Sequence, residues 1–278
     1  MTDSSTTAVR KYYERLGSRL GYNLVMGGSK HFGYYDENHR TERQAQQRIL
    51  EKFWKLLDAK PGMKILDAGC GQGLVAVKTA METGASVDGI TVVPFEVTAS
   101  KKLARARGVD DLTNFLLQDY STLKGKPRYD RIYTFETLSH APDVQKVVNN
   151  FMHVLKPGGK IVCVEYEADY TGMSKSEEKI IKLAMDKAAI HGAWQFGIGQ
   201  FVRKLQTAGF VDINEYDWTQ ACLPSFQRLR RIARPVRAIA NVLHMQQHMV
   251  NTVVAHHYAD MAEQKRFWFK AYSARKLT

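Results

Sequence analysis

Lys64-Ile65-Leu66-Asp67-Ala68-Gly69-Cys70-Gly71-Gln72-Gly73 reads as a short apolar strand running directly into a glycine-rich turn. A helix-forming stretch, residues 74–81, follows it. Glycines at alternate positions let the backbone pass close under a ligand, where a Cβ would collide. The N-terminus of the next helix adds free N–H groups and a positive dipole end, which suits an anionic group. Asp67 stands at the strand's carboxyl end with no apolar task there, and is expected to face the ligand. The spacing is G-x-G-x-G, which differs from the G-x-G-x-x-G of dinucleotide enzymes.

Outward from this turn, strand and helix patterns alternate. Strands are predicted at residues 63–66, 85–91, 114–118, 129–135 and 160–165, with helices at 96–107 and 144–154 between them. Lys156-Pro157-Gly158-Gly159 is expected to turn the chain into the fifth strand. Such a succession predicts a mostly parallel sheet with helices on both faces, whose ligands sit outside the carboxyl ends of the strands. Asp67 and the glycines, Thr91, Asp119, Phe135, Glu136 and Glu165 all fall at those ends.

Upstream, residues 9–20 have helical spacing, and residues 42–57 form an amphipathic helix that buries Ile49, Phe53, Leu56 and Leu57. Between them lies Gly27-Gly28-Ser29-Lys30-His31-Phe32-Gly33-Tyr34-Tyr35-Asp36. Glycines flanking aromatics suit a lid that closes over a ligand, although composition alone favours a loop pinned to the core by its rings. Downstream, residues 174–190 and 201–209 are helical and 210–216 strand-like, before a basic segment at 228–249 interrupted by Pro235. His244 and His248, with His256 and His257, have no carboxylate or thiolate in register, so surface or pocket histidines are favoured over a metal site. The expected division is residues 1–60 as N-terminal helices and lid, 61–220 as the core, and 221–278 as a basic helical cap or oligomer contact.

The 278 residues are 44% hydrophobic, enough for a substantial core, and no apolar run reaches membrane-spanning length. The polar N-terminus lacks an apolar signal core, and Cys70, Cys163 and Cys222 are scattered without metal spacing. A cytoplasmic protein of a reducing compartment, with at most peripheral membrane contact, is expected. The net charge of +12 is concentrated after Cys222, in Arg228, Arg230, Arg231, Arg234, Arg237, Lys265, Arg266, Lys270, Arg275 and Lys276. Only Asp260 and Glu263 oppose them. This asymmetry suggests an anionic membrane, a phosphorylated substrate or nucleic acid, and equally a solvated basic helix face.

Several motifs together resemble class I S-adenosylmethionine (SAM)-dependent methyltransferases. Asp67 to Gly73 matches their nucleotide-binding loop, and Leu155-Lys156-Pro157-Gly158-Gly159 their turn before the fifth strand. Gly89-Ile90-Thr91-Val92-Val93-Pro94-Phe95 is similar to the second-strand segment of tocopherol and cyclopropane-forming enzymes. Phe135-Glu136-Thr137-Leu138-Ser139-His140-Ala141-Pro142 resembles the fourth-strand motif of sterol C24-methyltransferases, and His31-Phe32-Gly33-Tyr34-Tyr35 their aromatic loop. The match covers roughly the first two-thirds of the chain. It implies an α/β Rossmann-like methyltransferase sheet with an N-terminal helical lid and a helical C-terminal substrate-binding cap. Two places depart from the pattern. Thr91 stands where many such enzymes carry an acid for the ribose, with Glu96 as a substitute. Val164-Glu165-Tyr166-Glu167 lacks the tryptophan usual in sterol enzymes.

The resemblance implies SAM as methyl donor. Backbone N–H groups of Gly69, Gly71 and Gly73 suit its carboxylate, Asp67 its ammonium group, and Asp119 its adenine amine, with capping of the next turn as the alternative for Asp119. Phe135 and Leu138 would flank the ring, and Tyr34 or Tyr35 would cover the sulfonium. Glu136, His140 and Glu165 supply candidate acid–base groups, with Glu136 holding the tautomer of His140. Tyr34, Tyr35, Trp194 and Trp218 are candidate ring faces for a carbocation. The expected activity is methyl transfer to carbon of an apolar or amphipathic, sterol-like or prenyl acceptor, with an anionic group allowed for. Alternatives are an O- or N-methyltransferase of a natural-product pathway and a non-catalytic SAM-binding module at a membrane. No base-flipping tetrad follows the fourth strand, which argues against nucleic acid, and Thr91 argues against NAD. A homo-oligomer is expected.

Overall fold

Strand β1, Lys64–Ala68, lies in the middle of a seven-stranded sheet of order β3-β2-β1-β4-β5-β7-β6. The computed structural model describes residues 4–14, 31–242 and 259–278. β1 pairs in parallel with β2 (Ser86–Thr91) on one side and β4 (Tyr129–Phe135) on the other, which makes its carboxyl end the switch point of the sheet. β3 (Thr113–Leu117) forms one edge beside β2, and β5 (Leu155–Ala168) continues the parallel array beyond β4. The Lys156 to Gly159 turn is an interruption within β5: Leu155 pairs with Tyr129, and pairing resumes at Lys160 with Arg131.

The C-terminal stretch holds the largest departure from expectation. Phe267–Arg275, counted by sequence within a helical basic region, is strand β7, inserted antiparallel between β5 and β6 (Val211–Asp217). Its lysine is not a solvated charge. Lys270 Nζ lies 2.6 Å from Glu167 Oε1 and 3.1 Å from Glu215 Oε2, so two carboxylates on flanking strands neutralise it. Phe267, Phe269, Ala271, Tyr272 and Ala274 are buried around it. The basic tail is further offset by Arg230, which binds both Asp260 (2.8 Å) and Glu263 (2.7 Å).

Helices cover both faces. On one, α2 (Glu42–Leu57), α3 (Leu74–Thr83), α4 (Pro94–Arg107) and α8 (Thr219–Val242) pack around Ile49, Phe53, Val87, Tyr133, Phe226 and Phe269. On the other, α5 (Val144–Val154) and α7 (Gln200–Thr207) pack around Ile132, Phe151, Ile161, Phe201 and Tyr272. α2 begins where predicted because Thr41 and Gln44 form a capping box, and ends on Asp58 in the left-handed region (φ 48°). α8 runs through Pro224 and Pro235, where a break was expected. α6 spans Lys175–Lys187 and α1 spans Ser4–Glu14. Residues 15–20 of the predicted first helix, Gly27 to Lys30 of the aromatic loop, and His244, His248, His256 and His257 lie outside the described residues. Cys70, Cys163 and Cys222 are buried free thiols. No helix among the described residues is long and apolar enough to cross a membrane.

Candidate active site

The turn after β1 takes positive φ at each glycine: 99° at Gly69, 51° at Gly71 and 80° at Gly73. The need for glycine comes first from the protein itself. A Cβ on Gly69 would stand 2.2 Å from Thr137 Oγ1, and one on Gly73 2.7 Å from Ser100 Cβ. Ser100 on α4 also lies against the turn, its hydroxyl sharing one proton between Glu96 O (2.7 Å) and the Gly71 carbonyl (3.2 Å). Not every turn N–H is open to a ligand. Gly69 and Cys70 donate to Ile90 O and Gly73 to Cys70 O, which corrects the expectation for Gly69 and Gly73. The N–H groups of Gly71 and Gln72 make no such bond among the described residues and stand before the α3 N-terminus. Asp67 is buried beneath the turn, accepts from the Tyr133 hydroxyl (2.9 Å), and is pushed up to about 7 by burial.

At the end of β2, Thr91 Oγ1 donates to Glu96 Oε2 (2.8 Å), so the carboxylate on the first turn of α4 folds back to the strand end that lacks an acid. At the end of β3, Asp119 does cap the following turn, Oδ1 accepting from Ser121 N (2.7 Å). Its other oxygen accepts from Thr6 Oγ1 (2.7 Å) on α1.

Two further contacts carry α1 across the strand ends. Arg10 Nε donates to Val92 O (2.6 Å) beyond β2, and Tyr13 OH lies 2.9 Å from His140 Nε2 beyond β4. His140 Nδ1 is 2.8 Å from the Ala189 carbonyl. A carbonyl only accepts, so Nδ1 carries the proton and Nε2 offers its lone pair to the Tyr13 hydroxyl. Ala189, not Glu136, therefore holds the tautomer. Burial pushes the Tyr13 phenol well above its ordinary value, and Tyr12, Glu96, Tyr120 and Glu136 add to the effect in that order. The phenol is thus neutral and sits among groups from three strand ends.

The sequence matches the mycolic acid cyclopropane synthetase family over residues 3–266, almost the whole chain. The chain belongs to that family. It is a SAM-dependent methyltransferase. It is 28% identical over 261 residues to the S-adenosyl-L-methionine-dependent Diels-Alderase iccD of Talaromyces variabilis, covering 90% of this chain and 88% of the relative. It is 28% identical over 239 residues to the norajmaline N-methyltransferase of Rauvolfia serpentina, covering 81% of each. The cyclopropane synthase MmaA2 of Mycobacterium tuberculosis has the same fold at 13% identity, with a TM-score of 0.82 over 98% of both chains.

The site fits the cofactor of this methyltransferase family in its chemistry. The glycine cradle with two open N–H groups suits the carboxylate, Glu96 and Thr91 a ribose, and Asp119 an adenine amine, since each carboxylate oxygen accepts more than one hydrogen bond. When bound, SAM supplies an electrophilic methyl group on a sulfonium centre.

Glu136, directly after β4, adopts φ 53°, a left-handed conformation uncommon for a residue with a Cβ. One carboxylate oxygen accepts from the Tyr166 hydroxyl and the other from Phe32 N (3.3 Å). Glu165, a candidate acid–base group, has one of its two oxygens committed. It is fully buried, and Oε1 accepts from the N–H groups of Thr137 (3.0 Å) and Leu138 (2.8 Å), clamping the turn that carries His140. Phe135 packs against His31 and Phe53.

The two tyrosines of the aromatic loop face elsewhere. Tyr34 stacks edge-on against Trp218, and its ring face is taken by Lys52, 5.0 Å from the centroid. Tyr35 OH donates to Glu42 Oε2 (3.0 Å) at the start of α2. Trp194 packs on Tyr170. The residues of that loop that do meet the site are Phe32, through Glu136, and His31, through Phe135. Sequence reading missed Thr6, Arg10, Tyr13 and Tyr166. Only Tyr13 left a signal, as one of paired tyrosines on a helix that needed one for its core.

Burial pushes Glu136 up to about 8, opposed by hydrogen bonds from Tyr166 and Phe32 and reinforced by Glu165. A carboxyl protonated in the folded chain but ionised near 4.5 when unfolded binds more protons in the native state, so stability falls as pH rises. This contribution is complete below about 4.5 and is lost as pH passes through about 8. The melting temperature of the ligand-free protein is therefore expected to drop across that window, and Glu136→Gln to flatten the drop. Identical slopes for variant and wild type in a pH series of thermal melts would show that Glu136 is ionised throughout.

Proposed function

We propose that this methyltransferase places a methyl group on carbon, at an alkene or similar centre of an apolar lipid, sterol-like or prenyl acceptor. Glu136 carries this reading. It is a buried acid at the cofactor end of the sheet, and Tyr166, which bonds it, stacks on Phe267 (5.4 Å) and Phe269 (5.5 Å). Phe32, whose N–H also bonds it, packs on Phe226 (4.5 Å). This is a wall of rings around one carboxyl group. Addition of a methyl group to a π bond forms a new C–C bond as the C–S bond breaks, and leaves a carbocation on the neighbouring carbon. Ring faces stabilise that cation, with the oxygen dipoles of the Glu136 carboxyl beside them, and loss of a proton restores the alkene. The Tyr13–His140 pair is placed to take the proton, the phenol passing it to the Nε2 lone pair.

The Tyr13–His140 pair also supports a second reading, because it equally suits removal of a proton from an acceptor O–H or N–H. The norajmaline N-methyltransferase among the relatives is of that type. The purified chain, given tritiated SAM with sterols, prenyl diphosphates and prenylated aromatics, is expected to label carbon. Products labelled only on oxygen or nitrogen would establish the second reading instead.

A further inference from the structure

His31 is buried to 4% exposure, and its ring stands 5.1 Å from that of Phe135 at the carboxyl end of β4. Its backbone is pinned by Gln46 of α2, which donates to the His31 carbonyl (3.2 Å). Nδ1 lies 3.1 Å from the Phe32 carbonyl. That carbonyl can only accept, so Nδ1 bears the proton and Nε2 is a lone-pair acceptor. Nε2 is buried with no hydrogen-bond partner among the described residues. A buried acceptor left unmatched is unfavourable, and such atoms in native structures call for a missing donor. Burial, and beyond it the nearby charge of Lys78, keep the ring neutral, lowering it to about 4.

We infer that His31 Nε2 accepts a hydrogen bond from the ammonium group of the amino-acid moiety of SAM. SAM has three kinds of donor: the ammonium group, the ribose hydroxyls and the adenine amine. Topology separates them. The ribose partners Thr91 and Glu96 sit at β2 and the adenine partner Asp119 follows β3, while His31 abuts β4, beyond β1. With strands about 4.8 Å apart, β4 is roughly 10 Å from β2 and 14 Å from β3, so only the amino-acid end comes near His31. A neutral acceptor suits the ammonium and offers nothing to the carboxylate, which the open N–H groups of Gly71 and Gln72 serve. Asp67, given the ammonium by sequence reasoning, accepts from Tyr133 through one oxygen and keeps further acceptor positions, so it shares that task.

This role depends on cofactor binding alone, so it stands or falls independently of the acceptor proposed above. Calorimetry on the full chain without acceptor tests it, using S-adenosylhomocysteine and 5′-methylthioadenosine, which lacks the amino-acid moiety. His31→Leu is expected to weaken S-adenosylhomocysteine by about tenfold or more and to leave methylthioadenosine within about twofold. His31→Gln, which places an acceptor at similar reach, should restore most of the loss. Unchanged S-adenosylhomocysteine affinity, or equal losses for both ligands, would overturn the assignment. Should the leucine variant fail to fold, the wild-type protein decides. The 15N resonance of His31 Nε2 must move on addition of S-adenosylhomocysteine and not of methylthioadenosine, and the same response to both would overturn it.

Discussion

Gly69→Ala is expected to weaken binding of S-adenosylhomocysteine by at least about thirtyfold while leaving a folded protein. The alanine Cβ would enter a space already filled, 2.2 Å from Thr137 Oγ1 and 2.8 Å from Thr137 Cβ. Thr137 cannot withdraw easily. Its N–H is held by Glu165 (3.0 Å), and its carbonyl accepts from Tyr120 OH (3.1 Å). The turn itself must move, at φ 99°, a conformation that suits glycine. Strain of roughly 1–3 kcal/mol and overpacking of roughly the same size add to roughly 2–6 kcal/mol, or about one and a half to four decades of affinity if the turn relaxes out of its binding shape. Gly62→Ala is the control. It has φ 82° but nothing within 4 Å of its added Cβ, so it isolates backbone strain at the opposite end of β1. Titration calorimetry and thermal melts on both variants read the outcome, and wild-type affinity in Gly69→Ala would place the cofactor away from this turn.

His140→Ala is expected to lower kcat by about 10²–10⁴-fold, the range for loss of a general base, with affinity for S-adenosylhomocysteine changed only a few-fold. Tyr13→Phe keeps the ring and removes the hydroxyl that meets Nε2 at 2.9 Å, and should cost a large part of the same factor. Because the two groups form one relay, the double variant should be little worse than His140→Ala alone. A purely structural pair behaves differently. His140 also anchors the Ala189 carbonyl at 2.8 Å, and Tyr13 anchors α1, so loss of a latch lowers the melting temperature and cofactor affinity while turnover by the loaded enzyme stays intact. Wild-type kcat in both single variants would leave the pair only that role.

Much of the sheet was legible because its signals are local. β4 and the helices α2 and α5 fall on their predicted bounds, since apolar period and capping residues lie within a dozen positions of one another. β7 was illegible for the opposite reason. Its lysine reads as solvated until Glu167 and Glu215, 103 and 55 residues away, are seen to neutralise it inside the sheet. The same holds for the contacts of α1. α1 reads as an amphipathic helix, and nothing near it in sequence says that Thr6 meets Asp119 or that Tyr13 meets His140, at separations of 113 and 127 residues. Tyr34 and Tyr35 were the natural choice for a ring over the cofactor, but the loop turns them to Lys52 and Glu42, and Phe32 and His31 face inward in their place.

The resemblance of its motifs to SAM-dependent methyltransferases implied the cofactor class, and by itself the sequence determined the strand–turn–helix with its glycines and the parallel order that brings Asp67, Thr91, Asp119 and Glu136 to one edge. These follow from backbone conformation and hydrophobic period, which neighbouring residues dictate. Only the tertiary structure decided which polar groups at that edge remain free. Glu165 gives one oxygen to clamping a turn, Gly69 and Gly73 are taken by intramolecular bonds, and His31 is left with a lone pair. Whether a polar atom is satisfied depends on partners a hundred residues distant, and only folding brings those partners within hydrogen-bond reach.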